Sequence, residues 1–313
     1  MSVVLGDIEA AAARIGDRVR RTPLLVADNL QNPICAGRLS LKLENLQVTG
    51  SFKARGAMSV LSDLEADAVA RGLVTASGGN HGLGVAYAGW AADAPATIYL
   101  PRSTSEAKAA QIRAWGAEVR WHGEVWDEAN EAALAQAEKD GLTYVHAFAD
   151  PRVVAGQGTC GLELLEQDPD IDLLLVAIGG GGLISGIATA VKTLCPSVRI
   201  VGVEPVGAPT LQRSRAAGDL VTLEAIETRA GTLAPRRSAA LNLALIRQHV
   251  DDIVLVDDDA MQQAARWLWR ELGIAAELSG AAAAAALMSG AVAAPAGTRV
   301  CALVCGAGRD GLD

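Results

Sequence analysis

In the stretch Gly50-Ser51-Phe52-Lys53-Ala54-Arg55-Gly56-Ala57 a lysine follows a tight turn and opens a helix whose apolar positions continue at Met58, Leu61 and Leu64. The first backbone N–H groups of a helix have no partner within it and carry the positive end of its dipole, so such a start is an anion site beside an amine. That pairing suits a Schiff base between Lys53 and an aldehyde bearing a phosphate. A lone lysine at a helix start is otherwise a solvated surface residue, so the argument rests on what accompanies it. Gly179-Gly180-Gly181-Gly182, followed by Leu183, lies between an apolar strand and a helix, where backbone N–H groups can close on a phosphate without side-chain obstruction. No register through Gly179–Gly186 gives the G-x-G-x-x-G spacing of a dinucleotide loop. Two such spacings do occur, at Gly156, Gly158, Gly161 and at Gly306, Gly308, Gly311, but the first lacks a convincing preceding strand and the second a following helix. Ser77-Gly78-Gly79-Asn80-His81-Gly82 joins a strand to a helix and could hold a carboxylate, although a plain turn uses the same residue types.

Asn45-Leu46-Gln47-Val48-Thr49 leads into the lysine segment, and Gly156-Gln157-Gly158-Thr159, Gly202-Val203-Glu204-Pro205, Glu277-Leu278-Ser279-Gly280-Ala281 and Cys305-Gly306-Ala307-Gly308 follow along nearly the whole chain. In this order and spacing the segments resemble the pyridoxal-phosphate (PLP) enzymes of fold type II, in the branch of threonine and serine dehydratases and serine racemase. The resemblance implies that Lys53 forms the Schiff base and then takes the α-proton of the substrate. It implies that Gly179, Gly180, Gly181, Gly182 and Leu183 cradle the phosphate and that Asn80 meets the 3-hydroxyl of the cofactor. Phe52 would pack beside the ring, or serve as an ordinary core aromatic. Ser77, Gly79, Asn80 and His81 would receive the substrate carboxylate, with the His81 ring capping or packing rather than moving protons. Cys305 occupies the position facing the pyridine nitrogen. A thiol there cannot hold that nitrogen protonated, which favours elimination of a β-leaving group over chemistry that needs a long-lived carbanion; the alternative is a packed thiol like Cys301.

The departures carry information. Gly78 stands where serine racemase has its second serine, and Phe148 where the racemase has a substrate-contacting asparagine. Glu204 and Ala208 match a cation-binding corner in which Thr210 replaces an aspartate, a set suited to a weakly held monovalent ion rather than Mg²⁺. Glu204 could equally be a surface carboxylate. These features imply a PLP-dependent dehydratase (ammonia-lyase) that turns a β-hydroxy-α-amino acid such as L-threonine or L-serine into a 2-oxo acid and ammonia. The alternatives are dehydration of 3-hydroxyaspartate or phenylserine, replacement at the β-carbon, a serine racemase-like activity, or a ligand-binding protein that has lost turnover.

Positioning these residues requires an α/β scaffold. Short runs at Val74–Ala76, Thr97–Leu100, Glu118–Trp121 and Thr143–His146, with helices between them, predict a small parallel unit. Its helix near Ser103 carries a capping box with Glu106 and stops at Gly116. Leu173–Ile178, Arg199–Val203 and Val300–Val304, joined by Leu24–Val26 and Leu39–Leu43, predict a second sheet. The expected fold class is therefore two lobes, each with a mainly parallel sheet flanked by helices: a large lobe over 1–69 and 150–313, and a small lobe inserted over 70–149. Arg213–Arg237 is polar enough to be a mobile surface excursion, and Ala281–Ala286 suits tight helix packing. No C-terminal regulatory domain of the kind long threonine dehydratases carry is expected after Val304.

The 313 residues are 50% hydrophobic and carry 27 basic and 36 acidic side chains, a net charge of −9. With no long basic run, nucleic acid or an anionic membrane is not an expected partner. Five scattered cysteines match neither a zinc site nor a secreted disulfide framework, no run approaches ~20 apolar residues, and no targeting leader is expected, because the first residues lack a charged stretch followed by a long apolar core. The expectation is a cytoplasmic homodimer acting on a small amino-acid substrate.

Overall fold

The computed structural model describes residues 2–312. Among the described residues ten strands form two sheets: β1 (Leu24–Val26), β2 (Arg38–Leu43), β3 (Leu73–Ala76), β4 (Ala96–Leu100), β5 (Glu118–Trp121), β6 (Thr143–Tyr144), β7 (Leu173–Ala177), β8 (Arg199–Pro205), β9 (Asp252–Val256) and β10 (Arg299–Val304). The larger sheet has the order β1-β2-β10-β7-β8-β9 and the smaller β5-β4-β3-β6. Only β1 runs antiparallel to its neighbour, pairing Leu24 with Lys42 and Val26 with Ser40. Strands β7 and β10 are buried along nearly their whole length, as continuous apolar runs covered by helices on both faces require.

Several sequence expectations change in detail. β9 was not foreseen, although Ile253-Val254-Leu255-Val256 supplies its signal; it closes the edge by pairing Glu204 with Leu255. The helix expected near Ser103 begins at Glu106, because a turn from Pro101 to Thr104 takes up the preceding residues. No capping box forms there; Glu106 pairs with Arg113 instead, while Gly116 does end the segment with φ +80°. Arg213–Arg237 is not a free excursion. It begins as the helix Thr210–Ala217, and the rest is held by bonds between Leu223 and Arg236, from Glu227 N–H to the Gly207 carbonyl, and by burial of Leu233.

The Gly156-Gln157-Gly158-x-x-Gly161 spacing serves helix packing. It lies in the helix Pro151–Gln167, and a side chain at Gly158 would come 2.9 Å from the Gly186 carbonyl of the helix Gly182–Leu194. At Gly156 a side chain would meet the Arg55 carbonyl at 2.7 Å, so the same helix also presses against Lys53–Leu61. Arg55 anchors that contact. It is fully buried and bonds Glu44 through Nε at 2.8 Å and Nη2 at 2.7 Å, and Glu163 through Nη1 at 2.7 Å. Buried Lys42 completes the network with Glu163 at 2.9 Å and the Thr22 carbonyl at 2.8 Å.

Candidate active site

Lys53 is the first residue of the helix Lys53–Leu61. The turn before it passes through left-handed backbone at Thr49 (φ 64°) and Gly50 (φ 80°). The segment after β10 fixes that turn: Phe52 N–H donates to the Cys305 carbonyl at 3.3 Å and Ala307 N–H to the Gly50 carbonyl at 2.8 Å. The amine then reaches toward the smaller sheet and donates to the Ala147 carbonyl at 2.6 Å, 5.1 Å from the centroid of the half-buried Phe52 ring. Desolvation lowers the Lys53 pKa to about 8, against the opposing pull of Cys305 and Glu277. Such an amine is partly neutral near physiological pH, which a nucleophile or base requires. The buried hydroxyl of Ser51 beside it has no hydrogen-bond partner among the described residues.

The glycine loop follows β7. Gly181 (φ +92°) is the N-cap of the helix Gly182–Leu194, a conformation that favours glycine. A side chain at Gly180 would run into the Phe148 ring, and one at Gly182 would lie 2.9 Å from the Phe148 carbonyl. The loop is held from behind: Asn242 Nδ2 donates to the Gly180 carbonyl at 2.7 Å and to the Phe148 carbonyl at 3.0 Å, and Ser238 Oγ donates to Gly180 at 2.9 Å. Buried Leu183 faces the core.

The carboxylate-loop residues lie at the N-terminus of the helix Asn80–Ala91, with Gly79 N–H donating to Ser77 Oγ at 3.3 Å. Asn80 Nδ2 donates to Glu277 Oε1 at 2.8 Å. Glu277 also accepts from Ser279 Oγ at 2.5 Å, and desolvation raises its pKa. The His81 ring turns inward, its Nε2 within 3.1 Å of Thr75 Oγ1 and 2.9 Å of the Val145 carbonyl, and burial drives its pKa down to about 3. Cys305 at the end of β10 is buried, its thiol donating to the Ser279 carbonyl at 3.4 Å and held protonated by burial and by Glu277. The Gly306-x-Gly308 spacing belongs to this contact, since a side chain at Gly308 would meet Glu277 Cβ at 2.7 Å.

Lys53, Asn80, Cys305 and the glycine loop are thus brought together through Phe148, Ala147 and Glu277. Glu204 is not part of that group. Both its oxygens accept at 2.8 Å from Leu211 N–H and Gln212 N–H, and burial raises its pKa to about 7. Thr210 Oγ1 donates to the Pro235 carbonyl, and Ala208 N–H bonds the Pro205 carbonyl. Thr232 Oγ1 reaches Glu277 Oε1 at 3.5 Å, and sequence reasoning did not single out Glu277, Thr232, Asn242 or His146 as site residues. Glu277 had a signal, because it heads one of the family-like segments; the other three stand in no motif and depend on long-range packing.

A model of the pyridoxal-phosphate dependent enzyme family matches residues 15–306. An L-threonine ammonia-lyase of Thermotoga maritima is 39% identical over 287 residues, covering 92% of this chain and 71% of that protein. A phenylserine dehydratase of Ralstonia pickettii is 38% identical over 316 residues, covering 99% and 95%. The solved structure of maize serine racemase superposes with a TM-score of 0.93 at 33% identity, covering 98% of this chain and 94% of that one.

Proposed function

The chain belongs to the family of pyridoxal-phosphate dependent enzymes, and from that premise we propose that it is a dehydratase releasing a 2-oxo acid and ammonia from a β-hydroxy-α-amino acid, with threonine or serine as the expected substrates. The observation that carries this reading is the Lys53 amine, desolvated to a pKa of about 8 and bonded to the Ala147 carbonyl, next to the Phe148 that braces the glycine loop. The donor set fits the cofactor: a desolvated, partly neutral amine, a glycine-rich helix start for a phosphate, Asn80 for a ring hydroxyl, and a protonated thiol for a neutral ring nitrogen. Bound there, the cofactor supplies an electron-withdrawing ring that acidifies the α-hydrogen of the amino acid.

The protein's own residues do the rest. Backbone N–H groups at Gly79, Asn80 and His81, with the Ser77 hydroxyl, hold the substrate carboxylate and fix which face of the α-carbon meets Lys53. Lys53 Nζ takes the α-proton, the β-carbon to oxygen bond breaks, and the departing hydroxide leaves as water with a proton equivalent to the one Lys53 took, so that the amine is restored. Hydrolysis of the enamine returns that water, so the net change is loss of ammonia. The Cys305 thiol, held protonated, would place no negative charge against the ring nitrogen and so would leave it unprotonated, which favours prompt elimination over proton return.

Purified protein supplemented with PLP and offered L- and D-hydroxy amino acids should release 2-oxo acid, and the Lys53→Ala protein should not. Equal release by both would overturn the reading. A racemase-like activity is a second reading, suggested by the serine racemase relatives, and Gly78 counts against it because it offers no hydroxyl to the opposite face. The proposal extends to a homodimer, testable by sedimentation, and to a cytoplasmic location, in keeping with five unpaired cysteines. It also extends to a monovalent cation at Glu204, Ala208 and Thr210. With both Glu204 oxygens already accepting N–H groups, carbonyl oxygens would hold most of the ion, and unfolding midpoints in K⁺ against Li⁺ would test it.

A further inference from the structure

His146 lies just beyond β6, where the chain leaves the smaller sheet. Its Nδ1 accepts two backbone N–H groups, from Phe148 at 3.1 Å and from Ala149 at 3.0 Å. Two donors aimed at one ring nitrogen leave no room for a proton on it, so the imidazole is neutral with its hydrogen on Nε2. Burial and the nearby Lys53 charge act in the same direction, lowering its pKa to about 4. The ring also meets Phe148 edge to face, with centroids 4.7 Å apart at 82°.

These bonds fold residues 146–149 into a compact turn, and both useful products of that turn point at the site. The Ala147 carbonyl receives the Lys53 amine at 2.6 Å. The Phe148 ring and carbonyl brace Gly180 and Gly182, and Asn242 clamps the Phe148 and Gly180 carbonyls together. No other side chain is bonded to both amides of the turn among the described residues. We propose that His146 is a positioning residue for the PLP reaction: as a fixed neutral acceptor it shapes the 147–149 turn, and through that turn it sets both the aim of Lys53 and the opening of the phosphate loop.

The inference rests on the proposed function only for its turnover measurement; cofactor affinity tests it separately. In His146→Asn the amide oxygen falls near the place of Nδ1 and can accept the same two N–H groups, whereas in His146→Gln it falls near the place of Nε2 and cannot. His146→Leu removes the acceptor altogether. The Leu and Gln variants should bind PLP about 10- to 100-fold more weakly and lose a comparable factor in kcat at saturating PLP, with the larger loss in kcat than in KM. The Asn variant should return both to within about threefold of the parent, and cofactor-free unfolding midpoints of Asn and Gln variants should agree. Gln as competent as Asn, or Leu with parental PLP affinity, would overturn the assignment. Failure of all three variants to fold would also overturn it, making His146 a core residue instead. A parent that binds PLP but releases no 2-oxo acid would sink the dehydratase reading and leave the affinity comparison standing.

Discussion

Lys53 and Arg55 are two residues apart on one helix, and the protein treats their charges in opposite ways. Arg55 is fully buried yet remains charged, because Glu44 and Glu163 surround it and Lys42 balances the second carboxylate. Burial alone would push the Glu163 pKa up, but Arg55 and Lys42 hold it below the usual carboxylate value. Around Lys53 no such pairing exists. Burial moves each group toward its neutral form: Lys53 to about 8, His146 to about 4, His81 to about 3, with Glu277 and Cys305 both raised. A paired network fixes its protons; a desolvated, unpaired one keeps a group able to gain or lose one. The helix therefore carries a paired charge and an unpaired amine two residues apart, on roughly opposite faces.

Removing the amine should give the largest effect. Lys53→Met should lower turnover at least about a thousandfold, since it deletes both the imine partner and the base. Folded Lys53 titrates near 8 rather than 10.5, so the cost of keeping it charged is fully present below about pH 8 and vanishes above about pH 10.5. The same variant should thus be more stable than the cofactor-free parent by up to about 3 kcal/mol near pH 7, a gain that shrinks as pH rises. Urea unfolding at several pH values measures it, and a pH-independent difference would mean that Lys53 is solvated.

Arg55→Met should do the reverse. Leaving Glu44 buried without its partner should cost about 3–5 kcal/mol in urea unfolding, and Arg55→Met/Glu44→Gln should recover much of it. A loss under about 1 kcal/mol would erase the contrast between the two residues.

Gly78→Ser should be next. A side chain there would approach Thr104 Cγ2 to 2.6 Å and Oγ1 to 2.9 Å, so the substitution should cost about 1–3 kcal/mol unless Thr104 gives way. Thr104→Ala in the same protein should relieve the cost, and only the double variant should raise L- to D-serine conversion relative to pyruvate formation. An equal rise in the single variant would show that Thr104 already yields. Cys305→Ser should be the mildest change, within about 1 kcal/mol and about threefold in turnover, because the hydroxyl can also donate to the Ser279 carbonyl.

Much of the scaffold was legible because buried parallel strands read as apolar runs; β3, β4, β5, β7, β8 and β10 lie close to where their residues predict. Lys53 and the glycine loop were legible because a positive-φ glycine or a lysine behind a turn leaves a local mark. The missing parts share a cause. His146, Asn242 and Thr232 act through partners at the far end of other loops, and nothing within a few residues of each announces that partner. The Ser103 capping box failed because a competing turn satisfied the same backbone groups. Glu204, which the sequence matches to a cation-binding corner or leaves as a surface carboxylate, is buried in the fold and caps the helix Thr210–Ala217, a contact no local pattern announces.

The place of β10 has a consequence for how the protein is made. It lies between β2 and β7 and pairs Val304 with Leu43, joining residues near the two ends of the chain at the centre of the larger sheet. Such non-local pairing is slow to form, and a nascent chain on the ribosome lacks it until residues 299–304 have been made. Since the Cys305–Ala307 segment also pins the turn that aims Lys53, that amine is not set in place until β10 pairs. A chain stopped before β10 would carry Lys53 without the contacts that fix the turn in front of it.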